Sequence, residues 1–359
     1  MINLLYSDVE NELRASVRDM LAQRSPVTRV LANIESGEPY DQGLWRTLAG
    51  EMGLAGMALP ERFGGGGASL REAAVVLEEL GRGVAPVPFL SSAVVATTAL
   101  LACEAADPLA KLAAGESIAV LTVPFAGAPV PEVSTVDGRL SGTVAGVADA
   151  LAATLLVVPA TDGLYLVDAT ADGVFRTPVV SLDLTRPLAD IRFDGAAGQR
   201  IADATAGTTA VATALTAGAA LLASEQLGLS EWCLDTTVEY LKVRHQFARP
   251  VGSFQALKHR LADVWVELTQ ARAVARYAAA CAADRDPDLP VAASLAQAFC
   301  SPAAVKAAEE CVQLHGGIGF TWEHDLHLYY KRSKASEVMF GDGSFHRERI
   351  ARMIIDGAA

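Results

Sequence analysis

Apolar positions along the chain fall into three textures. In the first third they recur at helical spacing. Ser7 and Glu10 have the form of a capping box, and Val9, Leu13, Val17 and Met20/Leu21 follow on one face. A second helix is predicted from Leu44 to Met52, with Gly53 as its stop. A third opens on Ser69 with Glu72, runs through Leu80 and is ended by Gly81. Between them, Gly64-Gly65-Gly66-Gly67 reads as a flexible turn. No Gly-Lys-Ser/Thr follows, so it is not a phosphate loop.

From about Ile118 to Phe193 the apolar runs shorten, become rich in Val and Leu, and are punctuated by Pro, Gly, Asp and Thr. Asp137-Gly138 is a hairpin signal. Val144, Leu155 to Val158, Leu164 to Val167 and Ile191 to Phe193 read as further strands. No helical stretch separates them, which predicts an antiparallel sheet rather than strand–helix–strand units. From about Ala206, long periodic segments rich in Ala and Leu return, broken at Arg285-Asp286-Pro287 and at Gly316-Gly317. The alanine runs near Tyr277 read as close-packing helix faces. The expected architecture is α+β in three parts: a helical domain over 1–116, a shortened β domain over 117–200 and a helical bundle over 201–359.

Charge and composition narrow the classes. The chain has 359 residues, 51% of them hydrophobic, and a net charge of −13. That excludes a disordered chain and disfavours binding to nucleic acid. No run reaches the ~20 apolar residues of a spanning helix, and Met1 to Tyr6 lacks the pattern of a signal peptide. Five scattered cysteines suit reduced, buried thiols, so a cytoplasmic, membrane-free protein is expected.

Two features depart from this average. From Leu241 to Arg260 there are five cations (Lys242, Arg244, Arg249, Lys258, Arg260) and no acid, a stretch suited to a pyrophosphate. All six histidines lie between His245 and His346. His324 and His327 are spaced for one helix face, but no converging Cys or carboxylate completes a metal site, so no metal is expected.

Several segments carry a family resemblance. Trp45 to Leu54, Leu59 to Gly65 and Val76 to Arg82 are similar to the N-terminal helical domain of acyl-CoA dehydrogenases. Arg244-His245-Gln246-Phe247-Ala248-Arg249-Pro250-Val251-Gly252-Ser253-Phe254-Gln255 resembles that family's Arg-x-x-Phe-Gly-x-Pro-Ile-x-x-x-Gln segment. Gln313 to Phe320 resembles its Gln-x-x-Gly-Gly-x-Gly motif. The resemblance implies an acyl-CoA dehydrogenase fold with a C-terminal four-helix bundle. It also implies FAD-dependent α,β-dehydrogenation of acyl-CoA thioesters, in which a carboxylate removes the α-proton. In the family the FAD lies across a subunit boundary. The resemblance therefore assigns FAD contacts to Arg244, Gln246, Phe247, Phe254, Gln313, Gly316 and Gly317.

The catalytic carboxylate is missing from both places where the family carries it. Aligning Met339 to Arg347 with the Tyr-Glu-Gly-Thr-like segment puts Phe340 on the base position, or Gly341 after a one-residue shift. The alternative location, 26 residues before Arg244, is Gly218. Glu225 lies roughly two turns beyond it. The β domain departs as well: Thr122 to Pro129 and Gly146 to Asp149 replace the acidic, hydroxyl and Trp contacts expected around the flavin.

This pattern implies the base-lacking subunit of a heteromeric, α2β2 dehydrogenase of the actinobacterial type. Such a subunit would share FAD with a catalytic partner that acts on a steroid side-chain acyl-CoA and passes electrons to an acceptor flavoprotein. Two other readings stand beside it: an active enzyme with a base relocated to Asp342 or Glu337, and a homologue that has lost flavin.

Overall fold

The structure, a computed structural model, describes residues 3–127, 133–355 and 357. Ala128 and Pro129 of the Thr122–Pro129 stretch lie outside the described residues. The N-terminal domain contains α1 (Asp8–Arg24), α2 (Val27–Ser36), α3 (Gln42–Trp45), α4 (Leu70–Arg82), α5 (Thr97–Ala102) and α6 (Ala106–Ala113). Both capping boxes form, at Ser7 with Glu10 and at Ser69 with Glu72. The predicted Leu44–Met52 helix is α3 continued by a π-helical turn, Arg46–Glu51, and it stops at Gly53 with φ +66°. A second π-helical segment, Phe89–Ala96, leads into α5.

Two glycine readings change. Gly81 does not end its helix, because α4 continues to Arg82. A Cβ at Gly81 would sit 2.1 Å from the Glu225 carbonyl oxygen, and one at Gly228 would sit 1.8 Å from that of Glu78. These glycines let two helix backbones touch. The Gly64–Gly67 segment is a packed turn rather than a loose one, since a Cβ on Gly65 would meet the Leu59 carbonyl oxygen at 2.2 Å.

Among the described residues, eight strands make two four-stranded sheets. One is ordered β1 (Ala119–Leu121), β4 (Leu155–Ala160), β5 (Gly163–Asp168), β8 (Gln199–Asp203). The other is ordered β2 (Ser134–Val136), β3 (Arg139–Ala148), β7 (Leu188–Ala197), β6 (Val174–Val179). Asp137 and Gly138, both at positive φ, turn β2 into β3 as expected. Pairing is antiparallel except for β1 on β4, which is parallel because residues 122–154 cross between them. Leu140, Ile191 and Phe193 of one sheet and Val158, Tyr165 and Val167 of the other share one apolar core.

The strands run from Ala119 to Asp203, and α7 (Ala204–Val243) follows without a linker. A two-residue hairpin, β9 (His245–Gln246) and β10 (Arg249–Pro250), leads to α8 (Gln255–Asp284), α9 (Leu289–His315), α10 (Leu326–Val338) and α11 (Gly343–Ile355). The expected fourth member of the bundle is therefore two helices, divided at Phe340 (φ +63°) and Gly341 (φ +107°). The N-terminal helical, middle β and C-terminal helical order is that of the acyl-CoA dehydrogenase fold. By length and apolar composition α7 could cross a membrane, but it is the mostly buried core helix, packed on α4, α8 and α9. The cysteines are free; four are buried and Cys103 is half-buried.

Candidate cofactor and catalytic site

The basic stretch forms where α7 ends. The Arg244 N–H donates to the Tyr240 carbonyl at 2.9 Å and closes the helix, and its carbonyl accepts from Val251 N–H at 2.7 Å. The intervening hairpin pairs Gln246 with Arg249 and turns through Phe247 (φ +52°) and Ala248 (φ +58°). Two adjacent non-glycine residues in the left-handed region are a strained way to make this turn. The turn lifts Phe247 off the surface, where its side chain is 86% exposed. Phe254 meets it edge-on at 6.1 Å, with the Arg249 guanidinium 3.9 Å over the Phe254 ring.

Of the five cations, Lys242 is paired with Glu239 and Arg260 with Glu310. Arg244, Arg249 and Lys258 make no ion pair among the described residues. Arg244 and Gln246 are exposed. This hairpin therefore presents uncompensated guanidinium groups to whatever docks against it.

The second motif ends α9. Gln313 is exposed, and Gly316 caps the helix at φ +63°, ψ −139°, a conformation suited to glycine. A Cβ on either Gly316 or Gly317 would meet nothing within 4 Å. The tight glycine in this segment is instead Gly319, whose Cβ would come within 2.8 Å of the His315 Cβ. Tyr240 stacks on His315 at 4.4 Å, so the ends of α7 and α9 lie together. Both sequence motifs thus share one end of the bundle.

The same end carries Phe320 and Trp322, 89% and 75% exposed, and Val243. His324 packs on His315 at 4.6 Å, and its Nδ1 accepts from Leu326 N–H. His327 meets Trp322 edge-on. Among the described residues no group of three or more His, Cys, Asp or Glu could hold a metal ion.

The two positions expected for the base, Gly218 and Phe340, meet. A Cβ built on Gly218 would come within 3.1 Å of the Phe340 ring and 2.8 Å of Val95 Cγ2. The Phe340 N–H donates to the Phe125 carbonyl at 3.0 Å, tying the α10–α11 junction directly to the Thr122–Gly127 segment of the β domain. What remains between them is a cavity of about 20 Å³ lined by Ser91, Val95, Phe125, Ala148, Met339 and Phe340. That is room for about one water molecule. Gly341 is held by the Phe345 ring, 2.4 Å from where its Cβ would be.

The other carboxylates are occupied. Asp342 caps α11, its Oδ1 accepting from Phe345 N–H at 2.8 Å. Glu337 pairs with Lys334 at 3.2 Å. Glu225 is fully buried between Arg186 (2.5 Å) and Arg332 (3.0 Å), and Arg332 also holds Asp183 at 2.9 Å. Burial alone would raise the Glu225 carboxyl, but the two guanidinium groups overrule it and hold it below the usual carboxylate range.

A further buried acid escaped sequence reasoning. Asp149 accepts a short hydrogen bond from Ser91, which lines the small cavity, and burial pushes its carboxyl upward despite Arg186. Its Gly-Val-Ala-Asp context showed only that flavin contacts were missing. A carboxylate in a run of apolar residues was the available signal.

Comparison with known proteins agrees with this architecture. The acyl-CoA dehydrogenase N-terminal domain model matches residues 7–107, and the acyl-CoA dehydrogenase C-terminal domain model matches residues 205–355. The chain belongs to the acyl-CoA dehydrogenase family, whose members bind FAD. Acyl-CoA dehydrogenase IpdE2 of Mycolicibacterium smegmatis is 38% identical over 347 residues, 97% of this chain and 98% of the relative.

Among solved structures, the ChsE4–ChsE5 complex from Mycobacterium tuberculosis superposes with a TM-score of 0.89 at 26% identity, covering 99% of both chains. A Tcur3481–Tcur3483 steroid ACAD variant gives 0.88 at 32% identity, covering 98% of this chain and 99% of that one. The first of these solved structures is a complex of two components.

The residues present fit FAD unevenly. The exposed Arg244, the Gln313 amide and the open backbone at Gly316 and Gly317 suit a phosphate-bearing ligand approaching from outside the chain. The cavity of about 20 Å³ lined by Phe125, Ala148 and Phe340 is far smaller than an isoalloxazine ring.

Proposed function

We propose that this chain is the base-lacking subunit of a heteromeric acyl-CoA dehydrogenase. In this reading it lends Arg244, Gln246, Phe247, Phe254, Gln313, Gly316 and Gly317 to an FAD held mainly by a catalytic partner in an α2β2 assembly. The observation that carries the reading is the Phe340–Gly218 contact, which fills both base positions with apolar groups while the α7–α9 end stays open. The Arg244 guanidinium supplies parallel donors to phosphate oxygens. Phe247, Phe320 and Trp322 form an exposed apolar surface of the kind that another subunit covers. When bound, FAD accepts the hydride that leaves the β-carbon of the thioester.

The similarity to the Tcur3481–Tcur3483 steroid ACAD supports a steroid-derived acyl-CoA as the substrate of the complex. An acceptor flavoprotein would take electrons onward, in a cytoplasmic setting that keeps the five thiols reduced. Co-expression with the catalytic subunit tests the assembly. The expected result is a complex with one FAD per heterodimer, and no flavin on this chain when it is purified alone. In the complex, Arg244→Leu is expected to weaken FAD retention at least tenfold. Stoichiometric FAD and normal acyl-CoA oxidation by this chain alone would overturn the proposal. The relocated-base alternative predicts a ~10²–10⁴-fold rate loss for Asp342→Asn, whereas a helix cap predicts a change in stability only. A purified complex without any flavin spectrum would favour the flavin-free alternative.

A further inference from the structure

Two of the five thiols meet inside the C-terminal bundle. Three contacts show α7 and α9 running side by side in the same direction. Gln297 Nε2 donates to the Ala219 carbonyl at 2.6 Å, Gln226 Nε2 donates to Ser301 Oγ at 2.9 Å, and Tyr240 stacks on His315. Between the last two, the same register brings Cys233 of α7 to Cys311 of α9. Both are 1% exposed and lie in one apolar cluster with Leu229, Val264, Ala308 and Tyr329. The Cys233 thiol donates to the Cys311 sulfur. Cys300, buried to the same degree, meets a carbonyl instead, that of Ala271 at 3.5 Å.

His315 completes the cluster. The Cys311 carbonyl, which can only accept, lies 2.8 Å from His315 Nδ1, so that nitrogen carries the proton. The same N–H faces the Cys311 sulfur at 3.7 Å. Donation from Cys233, helped by His315, holds the Cys311 thiol below the usual thiol range despite its burial. The bond to Cys311, together with burial, pushes Cys233 up. The two thiols are therefore unlike: Cys311 is the one that ionises and Cys233 the one that keeps its proton. Burial alone gives a different result, as at Cys300, which is pushed up to about 12.

We propose that Cys233 and Cys311 form a peroxide-reactive dithiol, a covalent modification site beneath the α7–α9 end of the bundle. The Cys311 thiolate attacks one oxygen of hydrogen peroxide. The O–O bond breaks, the sulfur becomes a sulfenic acid, and the departing hydroxide takes up the proton that the thiol had released. The Cys233 thiol then attacks that sulfur, forming the S–S bond and breaking the S–O bond, and a second water leaves. Two thiols are oxidised to one disulfide while one peroxide is reduced to two waters. Such a disulfide is transient where thiols are kept reduced. Access comes from position: Cys311 lies one turn from the end of α9, so opening that turn exposes its sulfur. Disulfide formation turns the sulfur toward Cys233 and away from His315. The His315–Tyr240 stack, and the bond from Arg244 N–H to the Tyr240 carbonyl, adjoin that contact. Oxidation therefore loosens the end that carries Arg244 and Gly316. The thiol chemistry does not depend on how FAD is held, and its test reads no flavin.

The test treats the full, reduced chain with hydrogen peroxide and follows its thiols and peptide masses. The expected result is loss of two of the five thiols, a cross-linked Cys233–Cys311 peptide, and full recovery with dithiothreitol. Cys311 should react at least tenfold faster than Cys300. Cys233→Ser should stop at a sulfenic acid on Cys311 that dimedone traps, whereas Cys311→Ser should leave Cys233 a thiol. Hydrogen exchange at the backbone amides of 240–246 and 313–319 should rise on oxidation and fall again on reduction. Oxidation confined to Cys103, a Cys311 that reacts no faster than Cys300, or a Cys233–Cys311 disulfide that leaves exchange at both helix ends unchanged would each overturn the proposal.

Discussion

The α-carbon of Gly218 faces the ring of Phe340 so closely that a single added methyl group would lie 3.1 Å from two of its carbon atoms. The two positions at which the family resemblance leads one to expect a catalytic carboxylate are thus packed against each other. The pair predicts a coupled response to mutation. Gly218→Ala gains ~1 kcal/mol from helix propensity but overpacks the site by ~1–3 kcal/mol. The expected net effect is a loss of about 1 kcal/mol in the wild-type background. With Phe340→Ala already present, the same change should cost less, the 2.8 Å approach to Val95 Cγ2 being the contact that remains. Denaturant unfolding of the four proteins measures this; additive effects would show that the contact does not constrain the site.

The closed site rests on buried charge. Arg332 lies 2% exposed between Glu225 and Asp183, and Arg186 reaches both Glu225 and the sulfur of Met339, next to Phe340. Arg332→Met should destabilise by about 3–5 kcal/mol, because it leaves buried carboxylates without their partner. For both acids burial is the largest influence and acts upward, but Arg332 and Arg186 hold them below their ordinary values. Their contribution is therefore complete above the unfolded value of about 4 and is lost as pH falls through the lower folded values. Urea unfolding from pH 7 to pH 3 should show a shallower acid loss in the variant than in the wild type.

Local features were legible in the sequence because their causes are local. Ser7 and Ser69 cap their helices through residues three positions away, and Asp137-Gly138 makes its turn with its own backbone. The expectation that the base is missing is local in the same way, since it rests only on motif spacing. Gly81 misled because its cause is tertiary: it marks the crossing with Glu225, 144 residues on, not the end of a helix. The Arg332–Glu225–Asp183 cluster and the Phe340–Phe125 bond likewise join distant segments, and no periodicity encodes them. Of the seven proposed cofactor contacts, the sequence supplied identity and order. Only the Tyr240–His315 stack shows that their two segments share one end of the bundle.

His346 makes a separate pH prediction. It is 1% exposed on α11, where burial first and the Arg349 charge second lower its proton affinity, to a pKa of about 4. In the unfolded chain it titrates near 6.5, so the unfolded state takes up a proton first as pH falls. The associated stability is present above about pH 6.5 and is lost as pH drops toward 4. The total is on the order of 3 kcal/mol. His346→Phe should flatten this part of the pH–stability curve. An unchanged slope between pH 6.5 and pH 4 would place the titration on another group.

The last prediction concerns the turn that presents Phe247. Phe247 and Ala248 both occupy the left-handed region, where a Cβ-bearing residue is disfavoured by ~1–2 kcal/mol relative to glycine. The family motif has glycine at the second position, and this chain has Ala248. Ala248→Gly relieves that strain but also makes the unfolded chain more flexible, which offsets up to ~1 kcal/mol. The expected gain is at most about 1 kcal/mol in thermal or denaturant unfolding. In the complex, the variant should retain FAD at least as well as the wild type, because Arg244 and Phe247 keep their places while the turn relaxes. A substantial loss of stability would mean that the Ala248 methyl group makes contacts outweighing the backbone strain. Loss of FAD from a stable complex would instead mean that this methyl group is part of the surface the cofactor meets.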